Sequence, residues 1–104
     1  MSPKGSLTVI ISDAAKADLI GIGRHIAKDT PARADSFVDE LERKCLGLGE
    51  RPLAWPVMPQ SKGRQIRRRA HGDYLIFYRI GEDHVEVVRV LHSARDYAAW
   101  LFKK

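Results

Sequence analysis

The sequence predicts an α+β domain in which an N-terminal strand and an α-helical hairpin pack on an antiparallel sheet, in the order β-α-α-β-β-β-α. Three observations predict it. Apolar residues recur at helical spacing between residues 13 and 48, β-branched and alternating runs take over after residue 65, and a proline-rich stretch separates the two patterns. With 104 residues there is apolar surface for one core, so a single domain over 1–104 is expected, its first six residues a loose end containing Pro3 and Gly5.

Leu7 to Ile11 (LTVII) is a short β-branched run and predicts the first strand. Ser12 or Asp13 offers a side-chain oxygen to the free amides of a new helix, in which Ala15, Leu19, Ile22 and Ile26 form one apolar stripe. That helix is expected to stop near Asp29, because Thr30-Pro31 supplies an N-cap and an N1 proline for the next. Ala34, Phe37, Val38, Leu41, Cys45 and Leu48 then form a second buried face, and Gly47 and Gly49 loosen its end. Pro52, Pro56 and Pro59 make residues 51–62 a connecting loop, pinned to the body by Trp55. Three strands follow, at Gln65 to Ala70, Tyr74 to Ile80 (YLIFYRI) and Val85 to Leu91 (VEVVRVL), the last two joined by the short polar turn Gly81 to His84. Ala94, Tyr97, Ala98, Leu101 and Phe102 fit a final helix, with Lys103 and Lys104 suited to its negative end. Both faces of the YLIFYRI strand are apolar, so the helical hairpin covers one and the other must meet the C-terminal segment, a partner, or both.

An apolar content of 44% with 30% charged residues is that of a folded globular chain. No apolar run approaches the roughly 18 residues that span a bilayer, and no leader pattern opens the chain, so no membrane contact and a cytoplasmic location are expected. The one cysteine, Cys45, lies among apolar residues at helical spacing and reads as an inert buried thiol. Charge is unevenly placed: residues 1–50 hold seven Lys/Arg and eight Asp/Glu (−1), residues 51–104 eleven and five (+6). A positive field of that kind attracts nucleic acid or an acidic protein segment.

The densest signal is Lys62-Gly63-Arg64-Gln65-Ile66-Arg67-Arg68-Arg69-Ala70-His71, six basic side chains in ten positions without an acid. Strand alternation sends Arg67 and Arg69 to one face and Arg68 to the other. Such a run is either a site for phosphates or carboxylates, which guanidinium groups grip through paired hydrogen bonds, or a charged edge strand that resists aggregation. Arg79, Arg89, His92 and Arg95 form a second cluster. Arg79 and Arg89 interrupt apolar strands and need partners or solvent, with Glu86 and Asp96 as candidate partners. His92 is either a general acid or base or a cap on the last turn. His25, His71, His84 and His92 are scattered without zinc-site spacing, and no phosphate-binding glycine loop or serine nucleophile motif is present; no metal and no cofactor are expected.

Ala15-Lys16-Ala17-Asp18-Leu19-Ile20-Gly21-Ile22, Asp29-Thr30-Pro31-Ala32-Arg33-Ala34 with Phe37 and Leu41, and Tyr74 to Ile80 followed by Val87 to Asp96 together resemble the ParE group of toxins in the RelE/ParE superfamily. The likeness runs over roughly residues 7–97, and its last block is the most specific. It implies a toxin of a type II toxin-antitoxin system that acts by binding DNA gyrase rather than as an enzyme. It also implies a ParD-like antitoxin partner whose C-terminal segment wraps the toxin and through which alone operator DNA is contacted. On this resemblance Ile22, Ile26, Arg67, Tyr74, Ile76, Tyr78, Arg79 and Arg89 are expected to meet the antitoxin, and Arg95, Tyr97, Trp100 and Phe102 the target. RelE-like relatives are instead ribosome-dependent mRNA endonucleases; on that alternative Arg67, Arg79, His92 and Arg95 would be catalytic. Those nucleases tend to carry an arginine where this chain has Leu75 and a tyrosine where it has Leu101, although Tyr97 lies one turn away. Leucine neither stabilises a phosphorane nor moves a proton.

Overall fold

The computed structural model describes residues 6–102. Most of the expected loose N-terminal end, and Lys103 and Lys104, lie outside the described residues. The chain forms β1 (Thr8–Ile11), α1 (Asp13–Asp29), α2 (Pro31–Leu46), β2 (Arg67–His71), β3 (Tyr74–Ile80), β4 (His84–His92) and α3 (Tyr97–Leu101), with 3-10 turns at Gly47–Gly49 and Pro59–Arg64.

Ser12 supplies the N-cap of α1, its Oγ accepting from the Ala15 amide at 3.0 Å while donating to the Val88 carbonyl at 2.9 Å. One hydroxyl thus starts a helix and ties it to the sheet. Pro31 opens α2 as expected, although the Thr30 side chain makes no capping hydrogen bond. Leu7 donates to the Gly49 carbonyl at 2.8 Å, and a Cβ at Gly49 would collide with the Leu7 carbonyl, so the helical hairpin can return to β1 only through a glycine. At the β2–β3 turn Gly72 adopts φ +57, which the missing side chain permits.

The sheet order is β1-β4-β3-β2. β2, β3 and β4 are antiparallel neighbours as anticipated, but β1 joins β4 in parallel, so the sheet is mixed rather than antiparallel. The partners are 76 positions apart in register (Thr8 opposite His84), and nothing local to the LTVII run names a partner that distant. β2 begins two residues later than the alternation suggests, because Gln65 takes a left-handed turn (φ 54) and Ile66 is occupied in the loop, its carbonyl accepting from the Met58 amide at 2.7 Å. Between Phe77 (opposite Arg89) and Tyr78 (opposite Val87) the register shifts and leaves Val88 unpaired. This bulge lets Val85, Val87 and Val90 all reach the same core although their spacing breaks strict alternation.

The hairpin of α1 and α2 covers one face of the sheet, burying Ala15, Leu19, Ile22, Leu41, Cys45 and Leu48 against Tyr74, Ile76, Tyr78 and the β4 valines. Tyr78 is fully buried, with its hydroxyl donating to the Pro52 carbonyl at 2.6 Å. The opposite face carries Leu75, Phe77 and Leu91, and the chain covers it itself: Met58 and Ile66 come from the long loop, Leu101, Tyr97 and Phe102 from the C-terminal segment. Buried Ser61 holds that loop in place, donating to the Met58 carbonyl at 2.6 Å and accepting from the Ile66 amide at 3.0 Å.

Candidate functional site: the arginines of the sheet and its two ends

β2 is an edge strand, and its arginines divide as alternation requires. Arg67, Arg69 and His71 lie opposite Tyr78, Ile76 and Tyr74 on the side of the helices, while Arg68 lies opposite Phe77. Each arginine of the run is held by something other than a carboxylate. Arg64 donates to the Leu101 carbonyl at 2.7 Å, Arg67 to the Trp55 carbonyl at 2.6 Å, Arg68 to the Tyr97 hydroxyl at 3.2 Å and Arg69 to the Lys44 carbonyl at 3.1 Å. Arg69 also lies 4.1 Å above the Trp55 ring, and burial lowers its pKa from the ordinary guanidinium value. Trp55 therefore does pin the connecting loop, through its ring and its carbonyl, and the basic run is what it is pinned to.

The second cluster does not converge. Arg79 sits at the hairpin end of the sheet, bound to Glu86 at 2.7 Å, while His92 faces Tyr74 at the other end. Five residue steps along β3, from Tyr74 to Arg79, separate the two positions by roughly 17 Å, so Arg79 and His92 cannot serve one reacting group. Arg89 forms a bidentate pair with Asp18 of α1, both bonds 2.7 Å, and the same carboxylate accepts from the Val90 amide at 2.9 Å. Asp18 thus caps the edge of β4 beyond the point where β1 ends. The pair is largely enclosed, and the hydrogen bonds that Arg89 donates to Asp18 raise its pKa. Glu86 was a correct candidate partner, for Arg79; Asp18, which borders the apolar stripe of α1, was missed, and an acid beside that stripe was the available signal.

Two residues expected at an antitoxin interface have no free surface, and two more already hold carboxylates of the same chain. Ile76 and Tyr78 are fully enclosed under the helical hairpin, and the guanidinium groups of Arg79 and Arg89 are already matched by carboxylates of the same chain. Ile22 and Tyr74 are buried but reach the rim of a cleft of about 400 Å³ between α1 and the ends of β3 and β4, with His25, His92 and Arg95. Ile26 borders the adjoining cleft with Phe37. An aromatic chain links these clefts: His71 to Phe37 at 5.4 Å, Phe37 to Tyr74 at 5.6 Å, Tyr74 to His92 at 5.1 Å. Of the residues expected to meet the target, Tyr97 stacks on Phe77 at 5.2 Å and Phe102 packs on the second core, whereas Trp100 is half exposed, with Arg89 and Arg95 each 4.9 Å from its ring. Leu75 and Leu101 lie together in the second core. Among the described residues no group of three or more ligating side chains is gathered for a metal ion, and no helix is long and apolar enough to cross a membrane.

The sequence model of the ParE toxin of the type II toxin-antitoxin system parDE matches residues 9–97. The chain belongs to the ParE toxin family. Two solved structures share the fold of this family member. One is from the chromosomal ParDE system of P. aeruginosa, with a TM-score of 0.72 and 15% identity over 86% of this chain and 98% of the other. The other is from the RelBE2 toxin-antitoxin complex of Mycobacterium tuberculosis, with a TM-score of 0.62 and 24% identity over 91% and 100% of the two chains. At these identities the likeness is one of fold. Comparison with curated protein sequences returns no match.

Proposed function

We propose that this ParE-family toxin acts by binding, with DNA gyrase as its target, and that a ParD-like antitoxin neutralises it. The observation that carries the reading is the packing of Leu75 and Leu101. Where the nuclease branch tends to carry an arginine and a tyrosine, this chain has two leucines in contact with one apolar layer, 8% exposed each. Hydrocarbon in both places supplies neither charge stabilisation nor a proton path. The separation of Arg79 from His92 supports the same reading.

The antitoxin surface follows from which residues are open. Ile22, Ile26 and Tyr74 line clefts beside α1 whose charged and polar lining mixes His25, His92 and Arg95 with Asp18, Asp29 and Asp73. An amphipathic segment fits such a surface, apolar side chains entering the clefts and a carboxylate meeting Arg95. Arg67, Arg79 and Arg89 are engaged within the chain and do not line these clefts. The target surface is assigned to the exposed Trp100 and Arg95.

A supercoiling assay with purified gyrase tests this. Added toxin is expected to block supercoiling or accumulate cleaved DNA, the antitoxin to reverse the effect, and mRNA in a parallel ribosome reaction to stay intact. Undisturbed gyrase together with ribosome-dependent cleavage, lost in Arg67→Ala or His92→Ala, would replace the reading with the nuclease one.

A further inference from the structure

A cleft of about 640 Å³ opens on the helix side of the sheet edge, between the end of α2, the connecting loop and β2. It is separate from the α1 clefts and from the face covered by α3. Arg43 and Lys44 come from α2, Arg51 from the loop, Arg69 and His71 from β2. None of Arg43, Lys44, Arg51 and Arg69 has a carboxylate partner among the described residues. The acids at its rim are Glu40 and Glu50, and Glu40 is already neutralised: Arg33 grips it with bonds of 2.7 and 3.1 Å and His71 adds a third at 3.2 Å. The cleft is therefore strongly positive at short range.

Its floor is pre-set. Arg69 is fixed by the Trp55 ring beneath it and by the Lys44 carbonyl on Nη1, which leaves its remaining N–H groups to a ligand without further loss of side-chain freedom. Donors reach the centre from three separate elements. A planar carboxylate is satisfied by one in-plane fork, whereas a phosphate presents oxygens in several directions and profits from cations arriving from several sides. Apart from Trp55, already covered by Arg69, the lining holds no large apolar side chain, so a peptide would find nothing there to bury.

We propose that this cleft is a phosphate-binding site and that its ligand is a nucleic-acid strand held by its backbone. The site stands on its own geometry and does not depend on which target the toxin attacks.

Fluorescence anisotropy of the full-length chain with a labelled mixed-sequence single strand, across 50 to 200 mM salt, tests the proposal. Arg43→Gln and Arg51→Gln, both at exposed positions, are expected to weaken binding about fivefold each and to lower the log–log salt slope by roughly one per substitution. Arg24→Gln, exposed on α1, should leave both unchanged. Arg69→Gln should weaken binding more; because Arg69 also packs on Trp55 its thermal unfolding is recorded beside it, and the Arg43 and Arg51 variants carry the test if it fails to fold. Competition with ATP separates the two phosphate sources, and displacement only at large excess supports the strand. Displacement by ATP at equal concentration would overturn the strand, and equal displacement by oligoglutamate of the same charge would overturn the phosphate. Unchanged affinity and slope in Arg43→Gln and Arg51→Gln would overturn the site.

Discussion

Asp18 does three things with one carboxylate: it binds Arg89 through two bonds and accepts the Val90 amide where β4 has lost its strand neighbour. Removing one member of an enclosed pair leaves the other charge without compensation, so Asp18→Ala is expected to cost roughly 2–4 kcal/mol in urea unfolding. In a double-mutant cycle with Arg89→Met most of that cost should be shared between the two sites, and strict additivity would mean that the pair is not coupled. Cys45, on the inner face of α2, is buried in the core between the helices and the sheet, and burial pushes its thiol up to about 12 from 9.0. Its thiol should resist labelling at pH 8 until the protein is unfolded. Because the unfolded thiol ionises first, its burial predicts stability that is constant below pH 9 and falls between about 9 and about 12. Glu40 behaves oppositely. The hydrogen bond from Arg33, with His71 adding to it, holds its carboxyl down to about 2 from 4.5. Its contribution is present above pH 4.5 and lost as pH falls through about 2, and a carboxyl-resolved NMR titration of native protein and Arg33→Ala should show the midpoint return toward 4.5 in the variant.

Among the elements, α1 and α2 were legible because their stripes repeat at the helical period and Ser12 and Pro31 mark their starts. β3 and β4 were legible through apolar runs and a short polar turn. What lay beyond the sequence was pairing between distant segments: the parallel docking of β1 on β4, the bulge at Val88, and the Arg89 partner 71 residues away. The same limit explains why Ile76 and Tyr78, expected at an interface, are enclosed. Alternation correctly put Tyr74, Ile76 and Tyr78 on one face, but the helical hairpin already fills that face, and no local pattern says which side two helices will take. α3, five residues long, is the element whose role is easiest to test. It closes the second core through Leu101 and is tied by Arg64 to the Leu101 carbonyl. Leu101→Ala should cost about 2–4 kcal/mol in denaturant unfolding, the range for opening a cavity at a buried leucine. A change below 0.5 kcal/mol would mean that α3 does not close this face.

Taken as a whole molecule, the described residues close both faces of the sheet and leave open mixed apolar and charged clefts beside α1, the exposed Trp100 beside Arg95, and the phosphate cleft at the β2 edge. A net charge of +5, concentrated after residue 50, reaches solvent mainly through arginines that have no carboxylate partner among the described residues. That distribution suits a protein that binds acidic macromolecules. The central claim, action by binding on gyrase, meets its most direct test in cells. The toxin is induced with and without its antitoxin, and DNA supercoiling and transcript integrity are scored side by side. Growth arrest with disturbed supercoiling and broken DNA, intact transcripts, and full rescue by the antitoxin is the predicted result. Cleaved transcripts over undisturbed DNA would contradict it.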